Sequence, residues 1–463
     1  MRAASCSGAR PDDAARSPPQ PGRRRPGVAW RGPGGTRTTT WCPEQRIVSE
    51  QKVASSMGSS RTAWEGYEKG SSGYRRILVA LLCAGVATFA QLYSVQGVLP
   101  ILAEDLHVDA AQSALAVSSA TMGLAVGVIP WSLVSDRWGR RRTMVAAVSA
   151  ATVLGVLVGL MPTFESLVAL RFVEGVALGG IPAVAMAYLA EEVSSRHGAA
   201  AAGTYISGTS LGGLSGRIVA APLADFFGWR VGTSVVALIA AAAAVVFILL
   251  APRQRGFTAQ PVKITGEHGL LEHLWINLKD PRLLTLYLQG FLLMGGFVAV
   301  YNYIGFHLGE APYSVPQSVI SVLFLAYLSG TWSSARAGGL AGRFGRKPVL
   351  LGSALVMLGG LLLTAVPWLP VIVAGVLVFT AGFFAAHSVA NGWVPALATE
   401  GRAQASSLYT LFYYGGSSVL GYAVGVPFTA AGWNGAVLCI TGLIVAAVVL
   451  ALTFLPRAAA SCR

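Results

Sequence analysis

The sequence predicts an all-α integral membrane protein, with twelve transmembrane helices arranged as two pseudo-symmetric six-helix bundles. Three observations predict it. The chain is 54% hydrophobic and 12% charged, with a mean hydropathy of +0.60, where an average soluble chain is about 25% charged. Twelve apolar stretches, most near the roughly 20 residues that cross a bilayer, follow one another from Arg75 onward. One loop also occurs twice, as SLVSDRWGRRR at 132–142 and GGLAGRFGRKP at 338–348.

Residues 1–72 are rich in Pro, Gly, Arg and Ser and have no hydrophobic period. Such a segment buries too little apolar surface to offset its ordering entropy and is expected to be disordered. It has no apolar core of the secretory-signal type. A start at Met57 is the alternative to a genuine extension.

The expected spans are 77–101, 112–134, 143–161, 165–189, 199–223 and 231–251, then 283–305, 316–336, 348–367, 370–395, 404–426 and 435–455. The first six make a bundle over 73–251 and the second six a bundle over 283–456. A polar central loop, 252–282, joins them and carries a helical pattern around Leu270 to Leu278, and a short tail, 457–463, follows. Lys and Arg concentrate in alternate loops, including Arg76, Arg140, Arg253, Lys279, Arg346 and Arg402, whereas the intervening loops contain only Arg230. Positive loops stay cytoplasmic, so both termini and the central loop are expected there, in a multi-pass protein of the inner (plasma) membrane.

Several function classes are disfavoured. A formal net charge of +14 suggests nucleic acid, but the cations lie at span ends and in the polar head, without interleaved aromatics. The cysteines Cys6, Cys42, Cys83, Cys439 and Cys462 are scattered without a CxxC pair or nearby His, so neither a disulfide framework nor a metal site is expected. No cofactor is implied, and no phosphate loop of an ATP-driven pump is present. An enzyme is disfavoured too, for want of paired acids or an activated nucleophile at membrane depth.

The halves repeat beyond the loops. GWR at 228–230 is answered by GWN at 432–434, an offset of 204 against 206 between Asp136 and Gly342. Duplicated bundles of this kind meet at a central cavity and rock about it. With the loops, the chain contains YISGTSLGGLSGR at 205–217, GFLLMGGFVAVYNYIGF at 290–306, AYLSGTWSS at 326–334, GFFAAHSVAN at 382–391 and QASSLY at 404–409. On these stretches, from about Ile77 to Pro456, it resembles the major facilitator superfamily and, within it, the YnfM-type bacterial inner-membrane efflux permeases.

The resemblance implies a fold and candidate residues. Asp136, Arg137, Gly139, Arg140 and Arg141 match the superfamily's loop motif, with Ser132 in place of its first Gly. In the family this loop latches the second and eleventh helices when the cavity faces outward. A plain topology anchor is the alternative. The second copy keeps Arg343, Gly345 and Arg346 but has Gly342 where the acid stands. Arg171 and Gly175 map onto the fourth-helix motif Arg-x-x-Gln-Gly, with Glu174 at its Gln position. That Arg is linked to proton transfer in proton-coupled members, and ionisable groups at such depth are functional by default.

Gly208, Gly212, Gly213 and Gly216 partly resemble the fifth-helix antiporter motif, which marks exporters, although Gly213 replaces its Pro and Arg217 its last Gly. Ordinary small-residue packing is the competing reading. Counting from the turn between spans four and five, Arg217 and Arg171 lie at one depth, and at 1.5 Å per residue Glu174 is within a turn of both. A buried cluster of Arg171, Glu174 and Arg217 is therefore expected, with the carboxylate held ionised as a structural or gating pair rather than a proton carrier.

Candidate substrate contacts are Gln91, Tyr93 and Gln96 in the first half and Gln289, Asn302, His387, Asn391 and Tyr413 in the second, each open also to an interhelical hydrogen-bonding role. His387 and Asp136 are the remaining titratable candidates for coupling. The expectation is a proton-coupled antiporter, most simply a monomer in the lipid bilayer, exporting a small organic solute. An importer or uniporter of a sugar-like metabolite is the alternative, and a non-transporting membrane sensor is the alternative of another class.

Overall fold

The structure is a computed structural model that describes residues 64–257 and 269–456. The expected disordered stretch up to residue 63, the alternative start at Met57, residues 258–268 of the central loop and the tail from residue 457 lie outside the described residues. The stretch 64–71, expected to be disordered, belongs to the fold. The Tyr67 amide donates to Glu192 O at 2.8 Å and the Ser194 amide to Tyr67 O at 3.3 Å, and the Ser71 hydroxyl caps the first helix by accepting from the Tyr74 amide.

In the first half, α1 (Ser72–Leu92) passes through a 3-10 turn (Gln96–Val98) into α2 (Leu99–Asp105). There follow α3 (Ala110–Trp138), α4 (Arg140–Val158), α5 (Phe164–Leu178), α6 (Gly180–Glu192), α7 (Gly198–Phe227) and α8 (Trp229–Leu250). The amphipathic α9 (Leu270–Lys279) is the short helix expected in the central loop. The second half contains α10 (Pro281–Gly309), α11 (Gln317–Ile320), a 3-10 stretch (Ser321–Ala326), α12 (Tyr327–Phe344), α13 (Arg346–Leu363), α14 (Leu369–Leu397), α15 (Arg402–Ala423) and α16 (Gly425–Phe454). Among the described residues, ten helical segments are long and apolar enough to cross a membrane by length and composition. The remaining two expected spans are α7 and α15, whose Gly and Ser content lowers their hydropathy.

Breaks follow local chemistry. Pro100 has no N–H and its ring opposes the carbonyl four residues back, so the first span cannot run straight from α1 into α2. The duplicated loops turn on Gly139 (φ 90, ψ 154) and Gly345 (φ 89, ψ 155), positive-φ geometry that strains any residue with a Cβ. The GWR and GWN repeat behaves alike: Gly228 has φ 83, and Gly432 (φ 61) breaks α16 beside Ala431.

Packing separates outward lipid-type surface from the core. Leu238, Leu249, Leu438 and Leu452 are exposed. One buried cluster gathers Phe297, Met357, Phe379, Phe383 and Ile440 of the second half. Two others, around Leu124 and Val236 and around Met144 and Phe247, fill the first. Lipid tails are as apolar as Leu, so close backbone approach through small residues decides which helices touch.

Candidate functional site

The two sets of helices are tied together towards the rim opposite the basic loops. Gln96 Nε2 donates to Asn302 Oδ1 at 2.6 Å, Gln317 Nε2 to Gly97 O at 2.9 Å, Ser418 Oγ to Ser118 O at 2.6 Å, and the Ser318 amide to Asp225 Oδ2 at 2.7 Å. Asn302 also donates to Gly421 O at 3.2 Å, and the Tyr303 hydroxyl shares that carbonyl at 2.9 Å. A small void beside the Gln96–Asn302 bond, lined by Tyr301, Gln317 and Phe324 among others, has room for about one water.

Arg217 stands at this junction. Its Nε donates to Gln96 Oε1 at 2.7 Å and its Nη1 to Gly213 O at 2.6 Å, one turn back on α7. The guanidinium lies over the rings of Tyr93 at 4.0 Å, Tyr327 at 4.8 Å and Phe324 at 5.1 Å. A desolvated cation–π contact is worth about 2 kcal/mol or more, so the cage holds a charge that is only 1% exposed. The expected Arg171, Glu174, Arg217 cluster is corrected here: Arg217 turns from Glu174 to the other half of the molecule. A shared depth fixes height along the helices but not direction around them.

Arg171 and Glu174 do form a pair, with Nη1 donating to Glu174 Oε2 at 2.6 Å and exposures of 0% and 1%. Arg171 also donates to Ala116 O at 3.1 Å, Gln91 O at 3.0 Å and Leu92 O at 2.6 Å. The last two carbonyls stand where α1 ends, so the cation satisfies backbone that the helix break releases. Glu174 Oε1 and Gln91 Oε1 are both buried without a hydrogen-bond partner, and both face the space beside Gly155. Gln91 Nε2 is engaged with Ala87 O at 2.9 Å.

The α7 glycines serve packing on one face. A Cβ at Gly208, Gly212 or Gly216 would meet the backbone of Leu82, Val86 or Ala90 respectively, all on α1. Gly213 lies elsewhere, and a Cβ there would meet Arg217 Nη1 at 3.2 Å and little else.

In the second half, His387 Nδ1 lies 2.9 Å from the Tyr409 hydroxyl, and its ring is 4.6 Å from that of Tyr413 and stacked with Phe383 at 6.0 Å. These residues and Gln289 line one narrow pocket. Asn391 is exposed one turn further along α14. Gln289 turns its amide nitrogen to Ala447 O at 2.6 Å and so joins α10 to α16.

The two loop copies share one contact. Arg141 donates to Ile248 O at 3.0 Å and Ala251 O at 2.8 Å at the end of α8. Lys347 donates to Leu452 O at 2.9 Å and Leu455 O at 2.7 Å at the end of α16. They differ in the acid. Asp136 pairs with Arg140, which also donates to Ser135 and to Glu191 of α6 at 3.0 Å. Arg137, Arg343 and Arg346 are exposed.

Sequence reasoning passed over Glu191, Phe324 and Tyr327. The Glu191–Glu192 doublet at a span end was a visible signal and Tyr327 lies within the AYLSGTWSS stretch, whereas nothing local distinguishes Phe324 from other aromatics of an apolar span. Among the described residues no grouping of His, Cys, Asp or Glu is suited to a metal ion.

A family model described as Major Facilitator Superfamily matches residues 81–419. The chain is 41% identical over 368 residues to the inner membrane transport protein YnfM of Escherichia coli (strain K12), covering 80% of this chain and 88% of that protein. It is 38% identical over 379 residues to the MFS-type transporter YybF of Bacillus subtilis (strain 168), covering 82% and 93%. Its fold matches that of a bacterial homologue of the human lysosomal transporter Spinster, solved inward-facing and unoccupied, with a TM-score of 0.67 at 15% identity over 83% of this chain and 96% of that one. With its paired helical sets and duplicated loops, the chain belongs to the Major Facilitator Superfamily and is a multi-pass membrane transport protein rather than an enzyme.

Proposed function

We propose that the protein exports a small organic solute from the cytoplasm by alternating access, in exchange for protons, with both termini and the basic rim on the cytoplasmic side. The bundles over 73–251 and 283–456 rock against each other, closing and opening the Gln96, Asn302 and Arg217 junction at the rim away from the basic loops, and the described conformation is the inward-facing one. The solute enters between the halves from the basic rim and meets Tyr413, His387 and Asn391. One chain contains both bundles and therefore works as a monomer in the bilayer. Export is supported by the glycine face of α7, which seats that helix on α1 as in the antiporter pattern. The inward assignment is supported by Asp136, whose ion pair is to Arg140 of its own half. In the family's latch the same carboxylate holds α15 when the cavity faces outward.

The observation that carries coupling is the meeting of two unpartnered acceptors, Glu174 Oε1 and Gln91 Oε1, in one buried space. This replaces the expectation of a permanently ionised pair: without Arg217 beside it, Glu174 can take a proton that supplies the missing donor. Arg171 keeps three backbone carbonyl partners when the carboxylate is neutral, so proton uptake leaves no orphaned cation bonds. Each arriving proton thus changes the charge of a site built on the broken end of α1, and a change there biases the junction four residues away at Gln96.

The test is solute efflux in proteoliposomes under an imposed pH gradient. Wild-type protein moves the solute against its own gradient. Glu174→Gln still equilibrates it but no longer concentrates it. Unchanged uphill transport in Glu174→Gln contradicts the coupling role.

A further inference from the structure

We propose that Arg217 is an anion subsite, and that the transported solute is an organic anion whose carboxylate it receives. The inference rests on the alternating-access reading above and deepens it to a substrate class.

The two buried arginines of the first half differ in what they have left to offer. Arg171 has a carboxylate and three carbonyls. Arg217 has one amide oxygen, one carbonyl of its own helix and three ring faces. Among the described residues no carboxylate is paired with it, and its Nη2 is buried without a hydrogen-bond partner. A full positive charge at membrane depth without a counter-charge is costly to keep, and such groups mark solute pathways. It also lies on the seam, since Tyr93 belongs to one half while Phe324 and Tyr327 belong to the other.

The cage explains how such a charge is tolerated while it waits. Ring faces present negative potential to a cation without carrying charge. They can be withdrawn without leaving an orphaned anion. When the halves part at this rim, Phe324 and Tyr327 leave with the second half and the Gln96–Asn302 bond opens. The guanidinium then exposes Nη2, and Nε beside it becomes the second of two parallel donors when the carboxylate displaces Gln96 Oε1, the geometry that matches a carboxylate. Tyr93 stays behind as an apolar floor for the body of the solute. A neutral solute leaves the uncovered cation with water alone, so the site discriminates by charge.

The experiment uses purified full-length protein in nanodiscs, with benzoate, 3-phenylpropionate and octanoate as probes, each against its own amide. At least one carboxylate is expected to raise the melting temperature by several degrees in a saturable way, and no amide is. Arg217→Gln is expected to lose the shift and Arg217→Lys to keep a smaller one. Should Arg217→Gln fail to fold, Phe324→Leu decides: removing a competing ring face is expected to tighten carboxylate binding severalfold. The proposal is overturned if none of the carboxylates binds, if amide and acid bind equally, if Arg217→Gln retains the shift, or if Phe324→Leu weakens binding. Binding is read at equilibrium without a pH gradient, so this outcome is separate from that of the coupled-export test.

Discussion

Arg171 and Arg217 are buried to nearly the same degree, sit on consecutive spans of one half, and both reach the place where α1 breaks. They are held in opposite ways. Arg171 is locked within its own half by an acid and by three backbone carbonyls. Arg217 is held by an amide of its own half and by aromatic faces from both halves, so that only ring contacts carry it across the seam. The first arrangement is a fixed part of the bundle and the second can be undone, because breaking it strands no carboxylate. Two arginines at one depth therefore divide the work, one fixing the site and the other joining the halves.

The comparison is broken most directly through stability. Arg171→Ala leaves Glu174 buried and unpaired and is expected to cost about 3–5 kcal/mol, as for other broken buried pairs. Arg217→Ala removes no ion pair and relieves the burial of an uncompensated cation, which offsets its lost ring contacts and hydrogen bonds, so a smaller cost is expected. Denaturant titration of both in detergent checks the order, and equal losses end the distinction.

A smaller effect is expected where the halves are alike. Arg141→Ala and Lys347→Ala each uncap the last turn of a helix, at roughly 1.5–3 kcal/mol for hydrogen bonds to a charged group. The two variants are expected to agree within the error of the same titration, and a large difference contradicts the equivalence of the loops.

On α7 the seam and the packing face are sharpened by two glycines. Gly212→Val presses on α1 backbone and is expected to cost about 1–3 kcal/mol by overpacking. Gly213→Ala meets only the movable end of Arg217 and is expected to be tolerated in stability while altering transport.

The smallest change belongs to Asp136→Asn. Its pair with Arg140 is part-exposed and Arg140 keeps Glu191, so a loss of about 0–1 kcal/mol is expected. A transport defect out of proportion to that loss is expected if the carboxylate holds α15 in the other state.

Much of this was legible in the sequence because it is local or periodic. The spans follow from runs of apolar residues, the turns from Gly139 and Gly345, and the Arg171–Glu174 contact from spacing on one helix. The α7 glycine face was legible as spacing, though not which of its glycines touch α1. What the sequence hid is long-range direction. Arg217 meets Gln96, 121 residues away, and rings contributed by the irregular start of the eighth span. Depth arithmetic placed it beside Glu174 and was right about height alone. Gln289 lines the pocket beside His387 and also bonds Ala447 O, a partner set by the azimuth of α10 that its type alone does not give.

The central claim, that the junction of Gln96, Asn302 and Arg217 holds the halves closed on the rim away from the basic loops, is tested most directly by a distance. Spin labels on a cysteine-free background at positions 104 and 310, exposed ends of α2 and α10, report the width of that rim by pulsed electron resonance. The account expects one short distance in the unliganded protein and a second, longer population in Arg217→Gln and Asn302→Leu. An unchanged short distance in both variants would contradict it.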